Sequence, residues 1–365
     1  MSFMRIQKLK EELKSLVDPR RISHGNIKHK LESIVIIGFC TILCGGEDFV
    51  DMEEFGKERE QWLAKFLDLP NSIPDSDTFR RVFESLNPSE VSKCLSSWLE
   101  FEREKRAVVS VDGKTIRGSA NNLHKAYHVV SAFVSENRLT LGEITTDEKS
   151  NEITAVPELL DILDVEGAIV TADAMSCQKK IVGKIIEKQA DYVIGLKGNQ
   201  GDLRNDVEFY FTERANVPKT ITSNKGHGRI ETREYFLETE IDWMWQKPDW
   251  TGLSGIGMVK SRVEEEGKLR EESRYFITSL TDINEFARAV REHWSIENQL
   301  HWCLDVIFRE DASRARKDNS PLNLNVLRKT ALTTLSSVDF GRIGNRKKMF
   351  KAALNTKILE AFLFH

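Results

Sequence analysis

Two short runs constrain this chain more than anything else in it. "RAVVSVDGK" (Arg106–Lys114) is β-rich and ends in Asp112 and a glycine turn. "GAIVTADA" (Gly167–Ala174) is an apolar strand of the buried type and also ends in an aspartate, Asp173. Around them, "AYHVVSAFVSE" and "RLTLGEITT" form two antiparallel strands with Glu136-Asn137 as their turn. "NEITAVPELLDIL" (Asn151–Leu163) is helical, with Pro157 near its first turn. "CQKKIVGKIIEKQA" is an amphipathic helix, and "DYVIGLKGN" (Asp191–Asn199) is another buried strand. This order predicts an α/β fold, a mixed sheet flanked by helices.

The remainder divides around that pattern. Residues 1–100 read as an all-α module. A helix from Ile27 stops at Gly45-Gly46, and a second within Pro74–Pro88 is N-capped by Asp75, Ser76 or Asp77. Arg80 and Arg81 read as solvated surface charges. Residues 101–365 form the second unit. Within it, about 215–282 carry β-like runs ("ETREYFLE", "GIGMVKSRVEE", "ESRYFITSL") that read as a β-rich insertion before a long helix through Arg291–Trp302.

Composition excludes little. The 365 residues are 40% hydrophobic and 30% charged, as in ordinary globular proteins, and a net charge of −4 announces no nucleic-acid binder. Basic clusters do occur, at Lys28–Lys30, Lys225–Arg233, Ser313–Lys317 and Asn345–Lys351. The longest apolar run, Ser33–Gly46, is too short to cross a bilayer and reads as a buried helix. Five cysteines without a C-x-x-C pair point to reduced thiols and a cytoplasmic protein.

Ligands of open α/β sheets bind beyond the carboxyl ends of the strands. Two strand-end aspartates on neighbouring strands oppose each other's ionisation, and Mg²⁺ resolves the conflict through their oxygens. On a helical wheel of about 100° per residue, Ala289, Ile296, Leu300, Cys303, Leu304 and Ile307 form one stripe. Glu297 lies on its shoulder and faces the sheet, where an unpaired carboxylate is unfavourable. Asp112, Asp173 and Glu297 therefore form a candidate three-carboxylate site. It suits two divalent ions about 3.5–4 Å apart acting on a phosphodiester.

The same residues carry a resemblance. "DGKTIRGS" (Asp112–Ser119), "TADAM" (Thr171–Met175), "DYVIGLKGNQ" (Asp191–Gln200), "GHGRIETR" (Gly226–Arg233), "YFITSL" (Tyr275–Leu280), "REHWSIENQLHWCLDVIFRED" (Arg291–Asp311) and "SRARKDNSPLNLNVLRK" (Ser313–Lys329) resemble the insertion-sequence DDE transposases associated with H-repeat and Rhs elements. The start, "DPRRISHGNIKHKLESI", also resembles that family's N-terminal module. The resemblance implies an RNase H-like catalytic domain with Asp112, Asp173 and Glu297 as catalytic, metal-binding acids. It further implies Mg²⁺ or Mn²⁺, two ions, as cofactor and DNA ends and target DNA as partners. By family analogy the chain synapses ends as a homodimer. Where related transposases carry a Tyr, an Arg and a Lys, this chain has Val290, His293 and Leu304, so Arg291, His301 and Arg309 are candidate substitutes.

Further DNA-contact candidates are Lys114 and Arg117 just after Asp112, Lys197 beyond a strand, and Lys225, His227, Arg229 and Arg233 in the β-rich stretch. His293, Glu297 and His301 drift around their helix and are read as no zinc site. Trp294 and Trp302 are read as packing residues. Two other readings stay open: a non-catalytic DNA-binding remnant of a decayed element, and a metal-dependent nuclease without strand transfer.

Overall fold

The computed structural model describes residues 4–20, 27–99, 103–121, 125–146, 152–214, 217–226 and 229–364. The chain opens with helices α1 (Met4–Lys14), α2 (Leu31–Leu43), α3 (Phe49–Leu63), α4 (Ser76–Ser85) and α5 (Pro88–Leu99). Every residue of α2 except Glu32 is buried, as befits a helix apolar on all sides. It begins at Leu31, later than the expected Ile27, because Lys30 is extended and the preceding basic residues stay outside. Gly45 takes φ +95°, and the Gly45 and Gly46 amides donate to the Ile42 and Thr41 carbonyls, closing the helix. In α4, Asp75 is the N-cap, accepting from the Thr78 amide at 2.6 Å. Arg80 is paired with Asp77 and Glu84 on its own helix, and Arg81 stays exposed.

The α/β part follows as β1 (Val108–Thr115), β2 (His128–Val134), β3 (Leu139–Thr146), α6 (Glu152–Ile162), β4 (Ile169–Ala172), α7 (Lys179–Glu187), β5 (Asp191–Leu196) and α8 (Gly201–Glu213). Pro157 sits in the interior of α6 rather than in its first turn. Next come β6 (Lys219–Gly226), β7 (Arg229–Glu238), β8 (Gly255–Glu265), β9 (Lys268–Thr278), α9 (Ile283–Ser295), α10 (Ser320–Ser337), α11 (Asn345–Leu354) and α12 (Thr356–Phe364). Among the described residues the nine strands make one sheet, ordered β3-β2-β1-β4-β5-β9-β8-β7-β6. The expected RNase H-like mixed sheet is present.

The β-rich stretch is not set apart from that sheet. β9 pairs antiparallel with β5, Val193 opposite Thr278 through Leu196 opposite Tyr275, so β6–β9 extend the same sheet. Their distal halves are largely exposed and carry cross-strand ion pairs such as Arg262–Glu271 and Lys219–Glu234. One face of the sheet packs on α6, α7 and α8. The other packs on α9 through Val108, Ile169 and Val193. α1–α5 share a third core with α10–α12, so the helical start and the helical end pack as one layer. Asn323 on α10 secures that layer by donating to the Phe83 and Leu86 carbonyls. Among the described residues, no helix is long and apolar enough to cross a membrane.

Candidate active site

Alternation along β1 decides where Asp112 points. Val109 and Val111 face the α6–α8 layer, so Val108, Ser110, Asp112 and Lys114 share the α9 face. The parallel β1–β4 pairing ends at Val111 opposite Ala172, and the next residues are Asp112 and Asp173. Their backbones are therefore neighbours across strands spaced about 4.8 Å apart. Asp112 is not at the end of its strand, as the sequence suggested. β1 continues to Thr115 against β2 alone, because β4 stops first. Asp173 starts a short 3₁₀ turn, and its Oδ1 accepts from the Met175 and Ser176 amides at 3.0 and 3.2 Å. The turn uses one of its two carboxylate oxygens.

The third acid arrives on the segment after α9. Regular α geometry gives way there to π-helical turns over Ile296–His301 and Cys303–Ile307. The Trp302 amide donates to the Glu297 carbonyl and the Phe308 amide to that of Cys303, both five residues back. A wheel of constant angle therefore does not describe the segment, although Ala289, Ile296, Leu300, Cys303 and Leu304 are all buried as expected. π-turns of this kind often mark functional sites. The segment runs along β1 in matched steps. Thr171, beside Ser110, hydrogen-bonds His293 Nδ1 at 3.0 Å; Asp112 meets His301 at 3.6 Å; Lys114 meets Asp305 at 2.7 Å. Glu297 lies in the middle of this ladder and opens onto solvent rather than into the core.

Asp112 registers the crowding. Burial, with the nearby carboxylates of Asp173, Glu152 and Glu297, pushes its carboxyl up to about 7 against the pull of the Gly113 amide. Glu152, which was not foreseen, acts on Asp112 from outside the cleft. It is buried at the start of α6 and bonded to His128, and both lie so close to Gly113 that a Cβ there would overlap them. Burial holds His293 down at about 4 and His301 at about 3, so both imidazoles are neutral near pH 7.

A cleft of about 630 Å³ holds Asp112, Asp173, Glu297, His293 and His301 together. Lys197, exposed just beyond β5, lies on its wall. Sequence reasoning missed Arg204 and Arg274, which also line it. Arg274 stacks on Trp294 at 4.4 Å and Arg204 lies over Tyr275 at 5.9 Å. Of the two tryptophans expected to be packing residues, Trp294 packs under Arg274 while 36% exposed, and Trp302 is 53% exposed. As the side chains stand, no three His, Cys, Asp or Glu residues among those described close around a single ion.

The basic candidates separate. Lys114 is not on the cleft wall. Its ammonium is buried against Asp305 and Glu310, and the reading of it as a phosphate contact is corrected accordingly. Glu310 is fully buried and also accepts from Asn325 and faces Arg328. Replacing it with Ala leaves the buried Arg328 without its carboxylate partner, Lys114 keeping Asp305, and should cost about 3–5 kcal/mol. Urea unfolding measures this, and a loss below about 1 kcal/mol would show the network to be unimportant. His301, proposed as a basic substitute, is an interior neutral ring beside Asp112. Arg309 pairs with Glu47 at 3.1 Å and bridges to the N-terminal helices. Arg117 is exposed, with Asp311 3.9 Å away. Lys225 and Arg229 lie at the exposed tip of the β6–β7 hairpin, whereas Arg233 is half-buried, bonded to Glu231 and close to Arg291. His227 lies outside the described residues.

Comparison with known proteins decides the family. Residues 103–333 match the family model described as "Transposase DDE domain", and residues 10–99 match its companion, "DDE_Tnp_1-associated". The chain belongs to the DDE transposase family. This family member is 38% identical to "Putative transposase YncI" of Escherichia coli O157:H7, over 99% of its own length and 95% of that protein. It is 36% identical to "H repeat-associated putative transposase YhhI" of Escherichia coli K12, over 99% and 98%. A short relative, "Inactive transposase YbfQ", is 33% identical and corresponds to 22% of this chain.

Proposed function

We propose that this chain is an active transposase that cuts DNA at the ends of its element and joins the freed 3′-hydroxyl to target DNA. The observation that carries the reading is the placement of Asp112 and Asp173 at adjoining positions of one parallel pair, with Glu297 on the helix across from them in the same cleft. Asp112, Asp173 and Glu297 would hold Mg²⁺ or Mn²⁺. Carboxylate oxygens are the ligands such hard cations take, and Asp112, pushed up chiefly by burial and further by neighbouring acids, is a group whose ionised form a cation would favour. Two such ions, when bound, would activate the nucleophile, water for cleavage and a DNA 3′-hydroxyl for joining, and would favour departure of the leaving oxygen.

The chain's other residues have simpler tasks. Lys197, exposed on the wall, meets the phosphate backbone entering the cleft. Lys225, Arg229 and Arg291 extend the contact outward, toward and onto the hairpin. We assign residues 1–100 to a DNA-associated helical module and 101–365 to the catalytic domain, with one copy per element end. Incubating the purified protein and Mg²⁺ with DNA from its own genomic flanks should yield cuts at the element boundary and joined products. EDTA should prevent both. Cutting without joining would leave only a nuclease, and binding without cutting would leave a non-catalytic remnant.

A further inference from the structure

His301 touches one of the three acids, and the family match assigns it no part. It follows Glu297 by four residues on the π-helical segment and occupies the step of the ladder that faces Asp112. Its Nδ1 is 3.6 Å from Asp112 Oδ2, close enough to become a hydrogen bond after a shift of a few tenths of an ångström. The ring lines the cleft beside Asp112, and at the next step of the ladder Lys114 is tied to Asp305 and Glu310. Its other nitrogen, Nε2, is buried without a hydrogen-bond partner. For packing alone this is a poor choice, since a leucine would fill the space and strand no polar atom.

We infer that His301 is a positioning residue that orients the Asp112 carboxylate for cation binding, through Nδ1–H directed at Oδ2. The inference rests on the metal-binding reading of Asp112, and it deepens that reading by adding the group that aims the ligand. Partners that orient a metal ligand typically set metal affinity by about 10- to 100-fold. The ring nitrogen involved is specific. An asparagine at 301 places its amide nitrogen where Nδ1 stands, whereas glutamine reaches to the position of Nε2.

The test is Mn²⁺ binding by the full-length protein without DNA, followed by electron paramagnetic resonance of the free ion, with thermal melts of each variant. H301L and H301Q should each weaken Mn²⁺ binding by about 10-fold or more, and H301N should recover most of the loss. Wild-type affinity in folded H301L or H301Q overturns the inference. So does recovery by H301Q but not H301N. If H301L fails to fold, the comparison of H301N with H301Q still decides. Absence of Mn²⁺ binding by the wild type would instead remove the metal-binding reading itself, and this inference with it.

Discussion

Exchange of Asp173 for Asn should abolish the proposed metal-dependent cleavage and strand transfer, by on the order of 10³-fold or more, while DNA binding should persist. The structure makes this substitution unusually clean. Asp173 caps its turn with Oδ1, which accepts from the Met175 and Ser176 amides, and asparagine keeps that oxygen. Local folding is therefore retained, and what disappears is one negative charge and one anionic ligand atom. A cleavage assay on end-containing duplex, with a gel shift on the same DNA, separates the two effects. Wild-type cleavage by D173N would remove Asp173 from the chemistry. Loss of both binding and cleavage would mean that the residue acts through the fold.

Replacing Asp112 with Asn should do two opposite things, ending cleavage and stabilising the protein in EDTA at pH 8. The folded Asp112 carboxyl is pushed from an ordinary 3.8 up to about 7, so the folded protein holds this proton more tightly than the unfolded chain does. The stability that comes with protonation is complete below about pH 4 and is lost as the pH rises to 7. Above pH 7 the ionised, crowded carboxylate lowers stability by on the order of 2–4 kcal/mol. Asparagine has no such charge to bury. The gain in Tm of D112N over wild type should therefore grow between pH 4 and 7 and level off at several degrees. Saturating Mg²⁺ should raise the wild-type Tm and close much of the gap. A difference that is constant between pH 5 and pH 8 would show that Asp112 is not strained by its neighbours.

That Asp112 and Asp173 lie side by side was legible in the sequence, because strand alternation and the parallel pairing depend on local patterns. Val109 and Val111 face one way and Asp112 the other, and "GAIVTADA" delivers Asp173 at the matching level. Helix ends were equally local: the Asp75 cap and the Gly45 stop each depend on a few consecutive residues. What escaped depends on distant partners. Lys114 and His301 look like free basic residues until β1 is laid against the segment after α9, which buries one on Glu310 and the other on Asp112. Glu152 comes near Asp112 only through the approach of α6 to Gly113. The π-turns around Glu297 shift bonds by one residue and leave no periodic trace in six residues of sequence. β6–β9 are the β-rich stretch expected before α9, but their exposed distal halves hid that Ile256 and Ile277 at their bases join the main core and continue its sheet.

Anomalous diffraction from crystals grown in Mn²⁺ addresses the site itself. A metal peak should lie in the cleft, with oxygens of Asp112 and Asp173 within about 2.3 Å and Glu297 completing the shell directly or through a second ion. A cleft empty at saturating Mn²⁺, or Glu297 oxygens held more than about 10 Å from both aspartates in the metal-soaked protein, would be incompatible with three acids sharing divalent ions beside a scissile phosphate.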